Sequence, residues 1–199
     1  FMHNAVMYDL QNQATGYTPF YATAADITTN FTVTPDMGPL GLAGTISGSG
    51  PLQVAAGGIA DLSGTNTYTG ATDIASGGWL ALAGPGSITA SSDVHVDGYF
   101  DISRTWQTTT VQSLSGAGLV QLGDTTLDLT NASGSFSGQI ADGGIGGGTG
   151  GRLIVSGGHE TLTGDNTFTG ATGVVAGAAL DVEGSLAGGA VNLGTLPDI

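Results

Sequence analysis

Two stretches of this 199-residue chain are near copies of each other: LSGTNTYTGATDIASGGWLAL from Leu62 and LTGDNTFTGATGVVAGAALDV from Leu162. Each contains an apolar strand, a polar Asn-Thr-aromatic-Thr-Gly bend, a second strand and a glycine-rich turn. A unit of about twenty residues cannot bury a hydrophobic face alone, so it must stack on others of its kind. It is too short for a propeller blade and about the right length for one coil of a parallel β-helix. GAGLVQLGDTTLDLTNASGSFSGQI from Gly116 keeps the same strand, turn, strand, glycine rhythm with a changed bend. Roughly eight coils fit between Gly44 and Leu193, which at about 4.8 Å per coil makes a rod on the order of 40 Å. The interval from Leu62 to Leu162 then corresponds to about five coils.

Composition supports strands and turns. Glycine is 37 of 199 residues, without the every-third spacing of collagen and with only 6 prolines. It interrupts nearly every apolar run before ten residues, so no helical period is sustained after residue 45. Predicted strands include Pro51 to Val54, Trp79 to Leu82, Asp93 to Ile102, Leu119 to Leu122, Thr126 to Leu129, Leu153 to Val155, Gly173 to Val175, Leu180 to Val182 and Val191 to Leu193, each bounded by turn-forming residues. Within DVHVDGYFDI the period is two. Val94, Val96, Phe100 and Ile102 share one face, and His95, Asp97, Tyr99 and Asp101 the other.

Two arginines and no lysine stand against sixteen acids, a net charge of −14. A nucleic-acid partner is excluded, because phosphate binding needs a basic footprint. The absence of cysteine rules out disulfides and thiolate metal sites, and is compatible with a large extracellular protein whose stability comes from a long repetitive core. No apolar stretch reaches eighteen residues, so no membrane-spanning helix is expected. With Phe1 first and no signal peptide, the chain reads as a piece of something longer.

The repeat supplies the residues to weigh for function. Asn66 and Asn166 head the bends, where the economical role is to turn the chain and bond its own backbone rather than to hold a ligand. Tyr68 and Phe168 are interchangeable, so packing accounts for them without the hydroxyl; Gly70 and Gly170 serve the turn. Gly143 to Gly151, GGIGGGTGG, lacks the Lys-Ser/Thr and the helix of a phosphate loop, and has no Asp to bind calcium; it reads as a mobile turn. The three histidines have no metal-ligand spacing to one another. His95 with Asp97 and Asp101 on the outside of one strand is the best acid/base or metal constellation, yet such residues are ordinary on a solvated strand face. There is no Gly-x-Ser-x-Gly elbow and no recognisable carboxylate pair. No catalytic, cofactor-binding or metal-ligating residue is therefore assigned.

The two copies resemble the passenger-associated repeat of bacterial autotransporters, with the pattern L-T-L-x-G-x-N-T-Y-T-G-x-T-x-V-x-x-G-x-L-x-L. The segments GTISGSGPLQVAAGGIADLSG from Gly44 and GGTGGRLIVSGGHETLTG from Gly147 are similar to that family's lead-in, without its frequent lysine, and GSLAGGAVNLGTL from Gly184 is similar to the coil that follows. The resemblance covers residues 44 to 196. It implies an all-β fold: a right-handed parallel β-helix of about eight coils over residues 44–199, with residues 1–43 as an atypical N-terminal cap, an atypical coil or a junction with an upstream domain. It also implies a non-catalytic stalk segment, secreted or held at the bacterial cell surface and anchored by its own C-terminal outer-membrane β-barrel, which is not in this sequence. The alternatives are an adhesin surface for host glycan or protein, offered by the Thr/Asn/Asp ladder and the glycine loop, and a stalk behind an upstream protease or esterase.

Overall fold

The computed structural model describes residues 20–26 and 30–194, and the part of the N-terminal segment before residue 20 lies outside it. The described chain is a parallel β-solenoid of about eight turns, with one 3-10 turn at Pro35–Met37 and no longer helix. Short strands bounded by glycine and polar residues cannot pair locally in hairpins when each is followed by a corner. They pair instead with their equivalents one coil away, and every registered pair is parallel.

The coil has three faces, visited in the order A, B, C. Face A stacks Phe20–Asp26, Pro39–Ser47, Ile59–Leu62, Trp79–Gly84, Tyr99–Thr105, Leu119–Gln121 and Gln139–Ala141. Asp165–Asn166 and Ser185–Leu186 continue it, joined where the Thr167 N–H donates to the Ile140 carbonyl. Face B stacks Thr109–Val111, Thr126–Leu129, Arg152–Val155, Thr172–Val174 and Val191–Leu193. Face C runs from Phe31–Val33 through Leu52–Val54, Thr72–Ile74 and Val94–Val96 to Leu114–Ser115. A Gly116 to Phe136 bridge carries it on to Ser135–Phe136, His159–Leu162 and Ala179–Val182.

Alternation along each strand sends every second side chain inward, where like stacks on like. Leu40, Ala60, Leu80, Phe100, Val120 and Ile140 form one such column and all are buried. Full burial of a Leu, Val or Phe side chain contributes roughly 1.5–3 kcal/mol, so the columns supply the main stabilising term.

Following the columns shows that the two repeats occupy different faces. Leu62 stacks between Leu42 and Leu82 on face A. Leu162 lies between Phe136 and Val182 on face C, in the column that descends through Gly116 to Val96 and Ile74. The interval is therefore one face short of five whole turns. Each copy keeps its local conformation but is rotated by about a third of a turn around the rod.

Two sequence expectations change. The segment Asp93 to Ile102 is two strands, because Asp97 and Gly98 turn the corner from face C to face A. All four expected inward residues are buried, but Asp101 leaves the solvated row and is fully buried. The stacking also begins before residue 44: Pro39–Ser47 crosses that position, and Phe31–Val33 already pairs with Leu52–Val54. At the other end the inward Val182, Val191 and Leu193 are exposed by 40%, 53% and 77%.

Candidate functional site

The repeat's asparagines point into the core. Asn66 Oδ1 accepts from the Ile46 N–H one coil below (2.8 Å), while Nδ2 donates to the Gly64 carbonyl in its own coil (3.0 Å) and to the Ser87 carbonyl above (2.9 Å). Asn166 repeats this with the Ile140 N–H and the Gly164 and Ser185 carbonyls. Each amide ties three coils together. The bond to its own backbone was legible in the sequence; the two bonds between coils were not, because they depend on which segments stack.

Tyr68 and Phe168 are buried core residues. The Tyr68 hydroxyl is nevertheless used: it bonds Thr72 Oγ1 (2.6 Å), Thr72 meets Ser91 Oγ (2.9 Å), and Ser91 donates to the Gly70 and Asp93 carbonyls. Burial drives the Tyr68 pKa above its ordinary value, against the lowering effect of the Thr72 and Ser91 hydrogen bonds. Gly70 and Gly170 are required by stacking rather than by a left-handed turn. A Cβ at Gly70 would collide with the Gly50 carbonyl one coil below, and one at Gly170 with the carbonyls of Gly150 and Gly151. All six repeat residues thus face inward or touch another coil.

The histidine constellation does not assemble. His95 is on face C, where Nδ1 lies 3.0 Å from Ser115 Oγ and Nε2 lies 3.3 Å from Asp97 Oδ2; Asp101 is on face A. Ser115 donates its own proton to Asp93 (2.8 Å), so His95 is not its base. Among the described residues no group of three His, Cys, Asp or Glu is placed to hold a metal ion.

Asp101 is instead the anchor of the glycine segment, which is an ordered flap. Asp101 Oδ1 accepts from the Ser103 N–H and hydroxyl, Oδ2 accepts from the Ile145 N–H (2.7 Å), and Ser103 Oγ accepts from the Gly146 N–H (2.8 Å). At the flap's other end Asp142 accepts from Thr169 Oγ1 (2.6 Å) and from the backbone N–H groups of Thr169, Gly150 and Gly151. Burial acts to raise the Asp142 pKa, but these four bonds outweigh it and hold the carboxyl below its usual value. Gly143, Gly144, Gly147, Gly148 and Gly150 take positive φ, which lets the segment fold back on the sheet.

The flap stands over the coils of Asp101 and turns the outer side of face A into a groove of about 570 Å³. Gly41, Ala81 and Ala83 give it a floor with little side chain, Ile59 and Trp79 form one wall, and Asp61, Arg104 and the flap's Ile145 form the other. Tyr99 stacks on Trp79 with centroids 5.0 Å apart and planes at 20°. Arg104 Nη2 donates to Asp61 Oδ2 at 2.6 Å. Trp79 Nε1, Asp61 Oδ1 and Arg104 Nε are enclosed without hydrogen-bond partners. Sequence reasoning missed this groove. Its signal was the outward-facing Ile59, Trp79 and Tyr99 at intervals of one coil, a spacing recognisable only once the coil register is known.

A second missed group is Glu160. It occupies an inward position on face C and is fully buried, at the register of Gly134 one coil below. Neither oxygen reaches good hydrogen-bond geometry. Burial first, then the negative charge of Asp93, pushes its carboxyl up to about 8, and the nearby backbone N–H groups of Gly134 and Leu114 offset only part of the rise. Comparison with models of known families, with curated proteins and with solved structures finds no match.

Proposed function

We propose that this chain is a non-catalytic stalk segment of an autotransporter passenger, exported through the outer membrane and displayed at the bacterial surface, with its own C-terminal β-barrel as anchor. The observation that carries the reading is the fate of the repeat. Its Asn, aromatic and Gly residues are spent on joining coils, as a scaffold needs, and none is left facing solvent to do chemistry. A solenoid of this kind gains stability coil by coil, so it can fold progressively as it emerges, and that directional folding favours export. The acid-rich surface with almost no cationic groups keeps such a rod soluble outside the cell.

The test is surface labelling of intact bacteria expressing the full-length parent protein with an epitope inserted at Gly147, a flap position where a Cβ meets nothing. Antibody should label unpermeabilised cells, and added protease should remove the label. Labelling that appears only after permeabilisation would contradict the reading.

A further inference from the structure

We propose that the groove on face A is a binding site for a neutral carbohydrate chain. At about 570 Å³ it falls within the size range of small-ligand sites, and it pairs apolar walls with a few fixed polar groups, as such sites do. Tyr99 buttresses the Trp79 ring from one side, which holds the indole in place at the groove wall opposite the flap. The apolar face of a pyranose packs against such a surface, and Ile59 extends it by one coil. Trp106, 82% exposed, lies against Gly84 next to the groove residue Ala83 and adds a second aromatic surface at the rim.

The polar side of the groove fits hydroxyl groups. Asp61 and Arg104 are partly exposed, with side chains 40% and 33% accessible, and together they present acceptors and donors. Their accessible oxygens and guanidinium nitrogens form the polar edge of the groove, while Asp61 Oδ1, Arg104 Nε and Trp79 Nε1 lie enclosed behind it without hydrogen-bond partners. Charge selects the neutral class. The net charge of −14 repels an anionic ligand, and Asp61, the sole acid among the described lining residues, is already neutralised by Arg104 and so gives a cationic peptide no free counter-charge.

The proposal goes beyond the stalk reading and is tested apart from it, on the purified 199-residue chain. Maltohexaose, cellohexaose, laminarihexaose and N-acetylchitohexaose are titrated by calorimetry and tryptophan fluorescence, with a heparin hexasaccharide and hexalysine as the anionic and cationic probes. At least one neutral hexasaccharide should bind with a Kd in the millimolar range or tighter and perturb the fluorescence. Ala83→Arg, which fills the floor from an outward position, and Trp79→Ala should each weaken that binding at least tenfold. Asp181→Asn, far from the groove, should leave it unchanged, and circular dichroism should confirm that each variant is folded. No binding of any neutral probe up to about 10 mM, binding indifferent to Ala83→Arg in the folded protein, or groove-dependent binding of only heparin or hexalysine would overturn the proposal. The stalk reading would survive each of those results, just as a failure of surface labelling would leave the groove result intact.

Discussion

At the scale of single residues, the groups that matter most are polar ones inside the rod. Asn66 bonds three backbone groups in three successive coils, so Asn66→Ala leaves the Ile46 N–H without its acceptor, while the Gly64 and Ser87 carbonyls each lose one of two bonds and keep the backbone donors Ser87 N–H and Asn66 N–H. The expected loss is about 1–3 kcal/mol, read from the urea unfolding midpoint. Glu160 acts in the opposite sense. Its pKa is raised in the folded state to about 8, so between its ordinary range and that value the folded protein holds a proton that the unfolded chain has released. Stability therefore falls as pH rises through that window and levels off above it. Glu160→Gln keeps the shape and removes the titration. The variant should exceed the parent in stability by a margin that grows from pH 5 to pH 8.5 and reaches several kcal/mol, measured by urea unfolding across that range. A margin independent of pH would show that Glu160 does not titrate as described. Asp142 has its pKa lowered by the flap's hydrogen bonds, so its contribution is present at neutral pH and is lost only as pH falls through the folded value.

The sequence and the structure agree best at the scale of elements. Thr126–Leu129 and Val191–Leu193 coincide with the strands read from alternation, since both have apolar residues every second position between turn formers. Short pairs such as Leu114–Ser115 and Asp165–Asn166 were not legible, because two residues carry no period and are strands only by virtue of the coil beside them. Asp101 and the flap fall in the same class. A run of glycines has no intrinsic preference for one conformation, and its order comes from a carboxylate that sits 44 residues earlier in the chain. Asp101→Ala should therefore loosen the flap without unstacking the columns. Amide hydrogen exchange at Ile145 and Gly146 should accelerate while exchange at Phe100 and Val120 stays slow; uniform acceleration would mean that Asp101 supports the whole coil.

At the scale of the whole molecule, the coil length sets the geometry and the chain absorbs irregularity outside the rod. The step from Ile140 to Asn166 takes 26 residues, against 20 from Ile46 to Asn66, and the flap accommodates the extra length without widening the stack. The solenoid itself was legible from one repeated unit, but the rotation of the second copy onto another face was not: it follows from the six extra residues of the flap coil, which lies between the two copies. The same register brings Ile59, Trp79 and Tyr99 into line and creates the groove. The central claim, that successive coils stack at a fixed rise, is tested most directly by electron spin–spin distances along the outside of face C. The chain has no native cysteine, so labels can be placed in pairs from Asp73→Cys to Ser135→Cys, Thr161→Cys and Asp181→Cys, outward positions three, four and five turns apart. Backbone separations should be about 14, 19 and 24 Å, rising by one inter-strand spacing at each step, even though the added chain is 26 residues in the first step and 20 in the second. Distances that rise unevenly, or that follow sequence separation instead of turn number, would contradict the stacked-coil account.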